Sequence, residues 1–287
     1  MKGCLYQVRE RYHPLNVLRR YTLSRTALSA IDVPIWVTLP GVRWKAKVRM
    51  VRHASSFVLP GGMEPEIFVL FRQIGCQFGI RSFWDVGANV GYYTWVVKSI
   101  APEARVRVFE PDTDNLTLLR ETIRRADLCD IVVRDVAVSD VRGKRLFARD
   151  GVSGSTGGIW ESGITYSGRY WGVPPSFVEV DTVSLNDERA LAGAVDLIKI
   201  DVEGHEEAVI RGALETIRRD QPIVICECFH GGQDISGALK PMGYTFVDAE
   251  RMGNDLAAAT NFLALPKRHS ARLDELRRGC ESGAVGR

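Results

Sequence analysis

Ser82-Phe83-Trp84-Asp85-Val86-Gly87-Ala88-Asn89-Val90-Gly91-Tyr92-Tyr93-Thr94 decides how the rest of the chain is read. An apolar run ends in an acid, and a turn follows with glycine at its first and fifth positions. Tyr93, Val96, Val97 and Ile100 then recur at helical spacing. The pattern predicts a buried strand, a tight turn and the opening of a helix, the βα unit on which nucleotide-type ligands sit. Small turn residues let a ligand approach the backbone, and N–H groups at the helix start favour an anionic group. The spacing is Gly-x-x-x-Gly with Asn89 in the middle, not the Gly-x-Gly-x-x-Gly of dinucleotide sites. Asp85, at the strand tip, is placed to face a positive group. A purely structural turn fits the same residues.

Working outward, strands and helices alternate. A strand near Arg81–Asp85 leads to a helix near Tyr92–Ile100. A strand near Arg105–Phe109 leads to a helix from Asp114 to Ala126, and Ile131–Val133 forms a third strand ending near Asp135. The rhythm resumes with Val195–Asp201, a helix over Glu206–Arg219, a strand over Pro222–Cys228 and a short helix over Ile235–Leu239. Tyr244–Val247 and Asn261–Leu265 close the series. The fold class this implies is α/β: a Rossmann-like, doubly wound, mostly parallel seven-stranded sheet with helices on both faces. Residues 141–180 interrupt it. Lys144–Arg149 and Phe177–Val180 read as strands around a Gly/Ser-rich stretch holding Trp160, Tyr166, Tyr170 and Trp171, an insertion that helps shape a substrate pocket. The main domain therefore covers 61–265. An N-terminal cap segment (1–60) precedes it, with a half-exposed strand near 43–52 and a helix starting at Glu64 or Pro65. A basic tail (266–287) follows, with a short helix and then disorder.

Glu110 ends the second strand, nineteen residues past Gly91. In doubly wound folds an acid there accepts from the two hydroxyls of a ribose. Asp85 and Glu110 on adjacent tips say more than either alone, and Asp135 at the third tip is a candidate for an adenine amino group. At the fourth tip, Asp201, Glu203, His205 and Glu206 gather three acids and an imidazole where a substrate would arrive. Glu203 as a cap and Glu206 as a first-turn acid are the structural alternatives. The spacing matches no metal motif.

The formal charge of +3 conceals an asymmetry: residues 1–53 carry eleven Lys/Arg against two acids, and 266–287 six against three. The body between is acidic. A basic N-terminus suits phosphates, anionic glycans or lipid headgroups in a weak membrane-surface association, or simply packs on that body. No run reaches the roughly 18 apolar residues of a spanning helix, and the start lacks a signal-peptide core. The six cysteines are scattered, with Cys226 and Cys228 the one close pair, as expected of core thiols in a cytoplasmic protein.

Several stretches together resemble the FkbM family of class I S-adenosylmethionine-dependent methyltransferases. They are Glu64-Pro65-Glu66, Trp84 to Thr94, Phe109-Glu110-Pro111, Asp135 to Asp140, Asp196 to Glu206, and Pro222 to Glu227. The likeness spans about 60–265, and Ile198-Lys199-Ile200-Asp201-Val202-Glu203-Gly204-His205-Glu206 is its most specific block. By position it implies cofactor contacts at Asp85, Gly87, Ala88, Asn89, Gly91 and Glu110, with Asp135 or Val136 near the adenine. It also implies O-methylation of a hydroxyl on a glycan, glycolipid or secondary metabolite. Asn186 stands where the family often has an acid, and His205 where it usually has a small residue. Methyl transfer needs an aligned acceptor oxygen and a group to take its proton. Asp201, His205 and Glu203 are the candidates, Glu227 and His230 at the fifth tip come second, and a divalent metal is an option without a motif. Competing readings are a nucleic-acid or protein methyltransferase, a nicotinamide-dependent oxidoreductase, which the glycine spacing disfavours, and a non-catalytic scaffold. No clear nucleic-acid surface is present, and a homodimer is compatible with the sequence.

Overall fold

The structure is a computed structural model that describes residues 21–58, 64–152, 154, 156–161, 172–228, 233–257 and 259–285. The expected turn at 61–63, Tyr166, Tyr170, Trp171, and residues 1–20 lie outside the described residues. The described chain opens with α1 (Thr22–Ala30), β1 (Pro34–Thr38), β2 (Lys45–Arg49), α2 (Ser55–Val58) and α3 (Pro65–Phe78). The core alternation follows as β3 (Ser82–Val86), α4 (Tyr92–Ile100), β4 (Arg105–Phe109), α5 (Thr113–Arg125) and β5 (Ile131–Arg134). The insertion supplies β6 (Ala137–Val138), β7 (Gly143–Arg149), β8 (Gly158–Ile159) and β9 (Ser176–Val183). The second half runs α6 (Leu185–Ala192), β10 (Leu197–Ile200), α7 (Glu206–Arg211), α8 (Leu214–Asp220), β11 (Ile223–Glu227) and α9 (Gln233–Leu239). It ends with β12 (Tyr244–Asp248), β13 (Asn261–Pro266), α10 (Lys267–Ser270) and α11 (Leu273–Val285).

The seven-stranded sheet has the order β12-β13-β11-β10-β3-β4-β5. All neighbours are parallel except β13, which runs antiparallel to β11 and β12. The chain builds outward from β3 to β5, then returns to place β10 on the other side of β3. The crevice at such a reversal, beyond the carboxyl ends of the strands, is where ligands bind in this architecture. Every residue of β3 and β10 is buried, as strands covered on both faces require. One face packs under α3, α4 and α11 through Ile67, Leu70, Phe71, Trp95 and Leu276. The other packs under α6 to α9 through Leu185, Val209, Ile210, Ile217 and Ile235.

Three elements differ from expectation. The helix predicted over Glu206–Arg219 is two helices. The Gly212 carbonyl, which would accept from the fourth residue onward, instead accepts from Asn186 N at 2.9 Å. Thr216 N donates to Asn186 Oδ1 at 2.9 Å instead, so the side chain of Asn186 replaces one helical acceptor and the axis breaks there. The tail is ordered through Val285: α11 seats Leu276 in the core against α3, because Leu273, Leu276 and Cys280 share one face. The insertion forms its own sheet, β6-β9-β7-β8, with β7 and β9 antiparallel over seven pairs. Trp160 meets Phe177 edge-on at 5.2 Å on it.

The basic N-terminal segment packs on the acidic body where it is described. Arg52 reaches Asp114 and Lys47 reaches Glu121 of the body, while Arg52 also pairs with Asp32 of its own segment. No helix among the described residues is long and apolar enough to cross a membrane.

Candidate active site

The glycine turn is shaped by contacts within the protein. Gly87 adopts φ 77°, and a Cβ there would lie 1.8 Å from the Asp201 carbonyl oxygen. The tips of β3 and β10 approach this closely because residue 87 has no side chain. Gly91, at φ 83°, faces the Trp95 indole in the same way, with 2.7 Å left for a Cβ. The N–H groups of Gly87 and Ala88 both donate to the Phe109 carbonyl, at 3.0 and 3.1 Å. Both glycines make room for neighbouring protein atoms, and the N–H groups of Gly87 and Ala88 are committed to the Phe109 carbonyl.

Glu110 stitches this turn to the start of α5. Its Oε2 accepts from Asn89 N at 2.7 Å and its Oε1 from Asp112 N at 2.8 Å. Burial pushes its carboxyl up to about 8 in spite of these bonds. Asn89 takes φ 54° and donates its amide to the Gly154 carbonyl of the insertion at 3.1 Å. Its Oδ1 is buried without a donor. Asp85 reaches into the first turn of α4, where Thr94 N at 3.0 Å and Thr94 Oγ1 at 2.6 Å both donate to its Oδ2. The carboxylate caps a helix from a neighbouring strand. Burial raises it to about 6, opposed by the Thr94 bonds and by Lys199.

Next to this frame lies a polar cluster assembled by strand register. Lys199 pairs with Asp85 across β3 and with Ile225 across β11. Glu227, two residues past Ile225, shares its face, and Asn261 pairs with Glu227 across β13. Tyr93 from α4 and Glu64 at the start of α3 cover this face. Lys199 is fully buried, with Nζ 3.3 Å from Asp201 Oδ2 and 5.4 Å from the Tyr93 ring centre. Glu64 accepts from the Tyr93 hydroxyl and from Asn261 Nδ2, the latter at 3.0 Å. Burial alone would lower the Lys199 ammonium, but Asp201, Glu64 and Glu227 hold it above its ordinary value. Burial raises Glu64 against the pull of Lys199, and it raises Glu227 well above the carboxylate range, helped by Asp201 and Glu64. Among the described residues no donor reaches the Glu227 carboxylate.

The remaining predicted residues are spread more widely. His205 is buried beside the second sheet, with Nε2 2.9 Å from Ser139 Oγ and Nδ1 3.4 Å from Glu161 Oε1. Burial lowers its pKa, so the ring is neutral near pH 7. Its charged neighbours are Glu161, Asp140, Arg211 and Arg145, none of which belongs to the Lys199 cluster. Glu203 takes φ 56° in the turn after β10, against which Gly158 packs. Glu206 accepts from Gly204 N at 2.8 Å, closing that turn. Asp135 is exposed and lies 3.5 Å from Arg120, while Val136 packs on the core beside Trp84 and Phe109. Strand pairing and the Gly87–Asp201 approach thus make the tip carrying Asp85 and Asn89 a neighbour of those carrying Glu110 and Asp201, while His205 and Glu203 lie against the insertion. His230 lies outside the described residues. Sequence reasoning missed Lys199, Tyr93, Glu64 and Asn261. A lysine within the apolar run Leu197–Ile200 was the available signal.

The Methyltransferase FkbM domain family matches residues 85–253. The chain belongs to the FkbM methyltransferase family. The hexuronic acid methyltransferase AglP of Haloferax volcanii is 30% identical over 162 residues, 55% of this chain and 59% of the relative. The chain thus spans little more than half of that relative's length. Among solved structures, the FkbM methyltransferase of Methylobacillus flagellatus is 18% identical with a TM-score of 0.44, over 67% of this chain and 47% of that one. A SAM-dependent methyltransferase of Agrobacterium tumefaciens is 11% identical with a TM-score of 0.42, over 80% and 69%.

An FkbM fold implies S-adenosylmethionine, and the atoms left unspent here fit that cofactor. It is a cation with ribose O–H and amine N–H donors. The crevice offers acceptors: the orphaned Asn89 Oδ1 beside Glu110, the orphaned Asn261 Oδ1, and the Asp201 and Glu227 carboxylates. Among the described residues, no three His, Cys, Asp or Glu side chains are placed to hold a metal ion.

Proposed function

We propose that this FkbM chain transfers a methyl group from S-adenosylmethionine to a hydroxyl of a glycan, glycolipid or secondary metabolite. The observation that carries the reading is the pairing of two tips. Glu110 and the Asn89 turn form a donor-seeking nucleoside site, and an acid-rich cluster stands one strand away across Gly87. Glu110 would hold the ribose, and the acids on β10 and β11 would be available to the cofactor's reactive end. The hexuronic acid named for the archaeal relative supports a sugar acceptor. When bound, the cofactor supplies an electrophilic methyl group, and the chain must align the acceptor and receive its proton.

On this reading Asn89 and Glu110 hold the nucleoside, with Asp135 and Val136 at its adenine edge. Gly87, Ala88 and Gly91 set the turn, and Asp85 acts through the helix it caps. Asp201, ion-paired to Lys199 and partly open, is the first candidate to orient the acceptor hydroxyl. His205, neutral near pH 7, is the second candidate for the proton, with Glu203 beside it. His205→Ala is expected to cut turnover about a hundredfold while leaving calorimetric affinity for the cofactor unchanged, and unchanged turnover removes it from the mechanism. The reading as a whole is tested by following labelled methyl from S-adenosylmethionine onto glycan, lipid and small-molecule fractions. Calorimetry against NAD tests the oxidoreductase alternative. Failure to bind S-adenosylmethionine would sink the proposal.

A further inference from the structure

The Lys199 cluster contains more acidic groups than its cations could balance if all were ionised. Glu64 enters from α3, Asp85 from β3, Asp201 from β10 and Glu227 from β11, and among the described residues Lys199 is their one buried cation. Burial answers the excess by raising Glu64 and Glu227 toward their protonated forms. Tyr93, Cys226, Glu206 and Glu250 also face the cluster from α4, β11, α7 and the segment after β12. Burying carboxylates without matching cations is costly, so the arrangement needs a reason beyond packing. Asn261 points to one independently. It is 1% exposed, its amide nitrogen is fixed on Glu64, and its Oδ1 has no donor. A buried acceptor beside surplus carboxylates calls for a ligand that brings positive charge and N–H groups together.

We propose that the Glu64–Asp201–Glu227 cluster, with Asn261, reads the positive charge at the reactive end of the cofactor and so separates substrate cofactor from spent product. This rests on the S-adenosylmethionine reading and adds a role for the cluster within it. S-adenosylmethionine carries a sulfonium that becomes the neutral thioether of S-adenosylhomocysteine once the methyl group leaves. Beside the first, acids that burial holds protonated are drawn into their charged form, releasing their protons to solvent, and attract it; beside the second they stay neutral. Lys199 offsets part of the negative charge and ties Asp201 in place, so the cluster stays folded before the cofactor arrives. The amine of the amino acid end is shared by both molecules and meets the same acceptors in each. The difference between them therefore isolates the sulfonium.

Calorimetry on the full chain near pH 8 tests this with S-adenosylmethionine, S-adenosylhomocysteine and sinefungin, which carries an ammonium in place of the sulfonium. The two charged molecules are expected to bind about tenfold more tightly than the thioether. Glu227→Gln preserves shape and removes a carboxyl group that can ionise beside a cation, and it should reduce that ratio to about threefold. Glu64→Gln should act in the same direction, which guards against a Glu227 variant that fails to fold. Equal or tighter binding of the thioether by the wild-type chain overturns the inference and leaves the methyltransferase reading standing. Binding of none of the three overturns both.

Discussion

The two halves of the crevice are built on opposite principles. At the tips of β3 and β4, each carboxylate is bound by fixed donors: Glu110 by Asn89 N and Asp112 N, Asp85 by Thr94. At the tips of β10 and β11, Lys199 is the one cation among several carboxylates, Glu227 accepts nothing from the described residues, and Asn261 Oδ1 waits for a donor. The first half is a frame whose carboxylates hold backbone and the Thr94 hydroxyl, with Asn89 Oδ1 left without a donor. The second is a charge imbalance held in place by the first. On the proposed reading, shape for the nucleoside is set before binding, while electrostatic balance at the reacting end is left to the ligand.

Three changes press on that contrast. Gly87→Ala should be the most damaging, because a Cβ would stand 1.8 Å from a backbone oxygen at φ 77°. A loss of about 3 kcal/mol or more is expected, read by chemical denaturation, and near-wild-type stability would mean that the two halves are not locked together. Lys199→Met comes next, at roughly 3 kcal/mol for carboxylates left without their cation. Its cost should grow as pH rises, since the surrounding acids escape only by staying protonated. A pH-independent cost would show that the cluster is not held by charge. The smallest effect belongs to Glu110. Its folded carboxyl, at about 8, lies above the ordinary carboxyl value of 4.5, so the folded state holds the extra proton. Its contribution to stability is full below the unfolded value and is lost as pH rises through about 8. Glu110→Gln should flatten the fall in Tm of the ligand-free protein between pH 5 and 8 by a few degrees.

Much of the frame was legible because it is local. The helix Tyr92–Ile100 and the strand Arg105–Phe109 appear with the expected bounds, since periodicity and glycine punctuation act over a few residues. The cluster was not legible, because strand register assembles it from distant residues. Glu64 and Asn261 meet across 197 positions, and nothing near either announces the other. Asp85 was rightly singled out as a strand-tip acid, but Thr94, which occupies it, reads as an ordinary helical residue. The split of α7 from α8 was hidden for a related reason. It depends on Asn186, thirty residues before Thr216, while the sequence between Glu206 and Arg219 keeps an unbroken helical period.

The antiparallel β13 has a consequence for when the protein becomes competent. It slots between β11 and β12 and delivers Asn261 to Glu64. A nascent chain emerges N-terminal end first, so Glu64, Asp85, Lys199 and Glu227 can all fold into place before their last uncharged partner has been made. Contacts between such distant residues also form late. The Lys199 cluster is completed only with the final strand, and a chain stopped short of it keeps the Glu110 turn without Asn261.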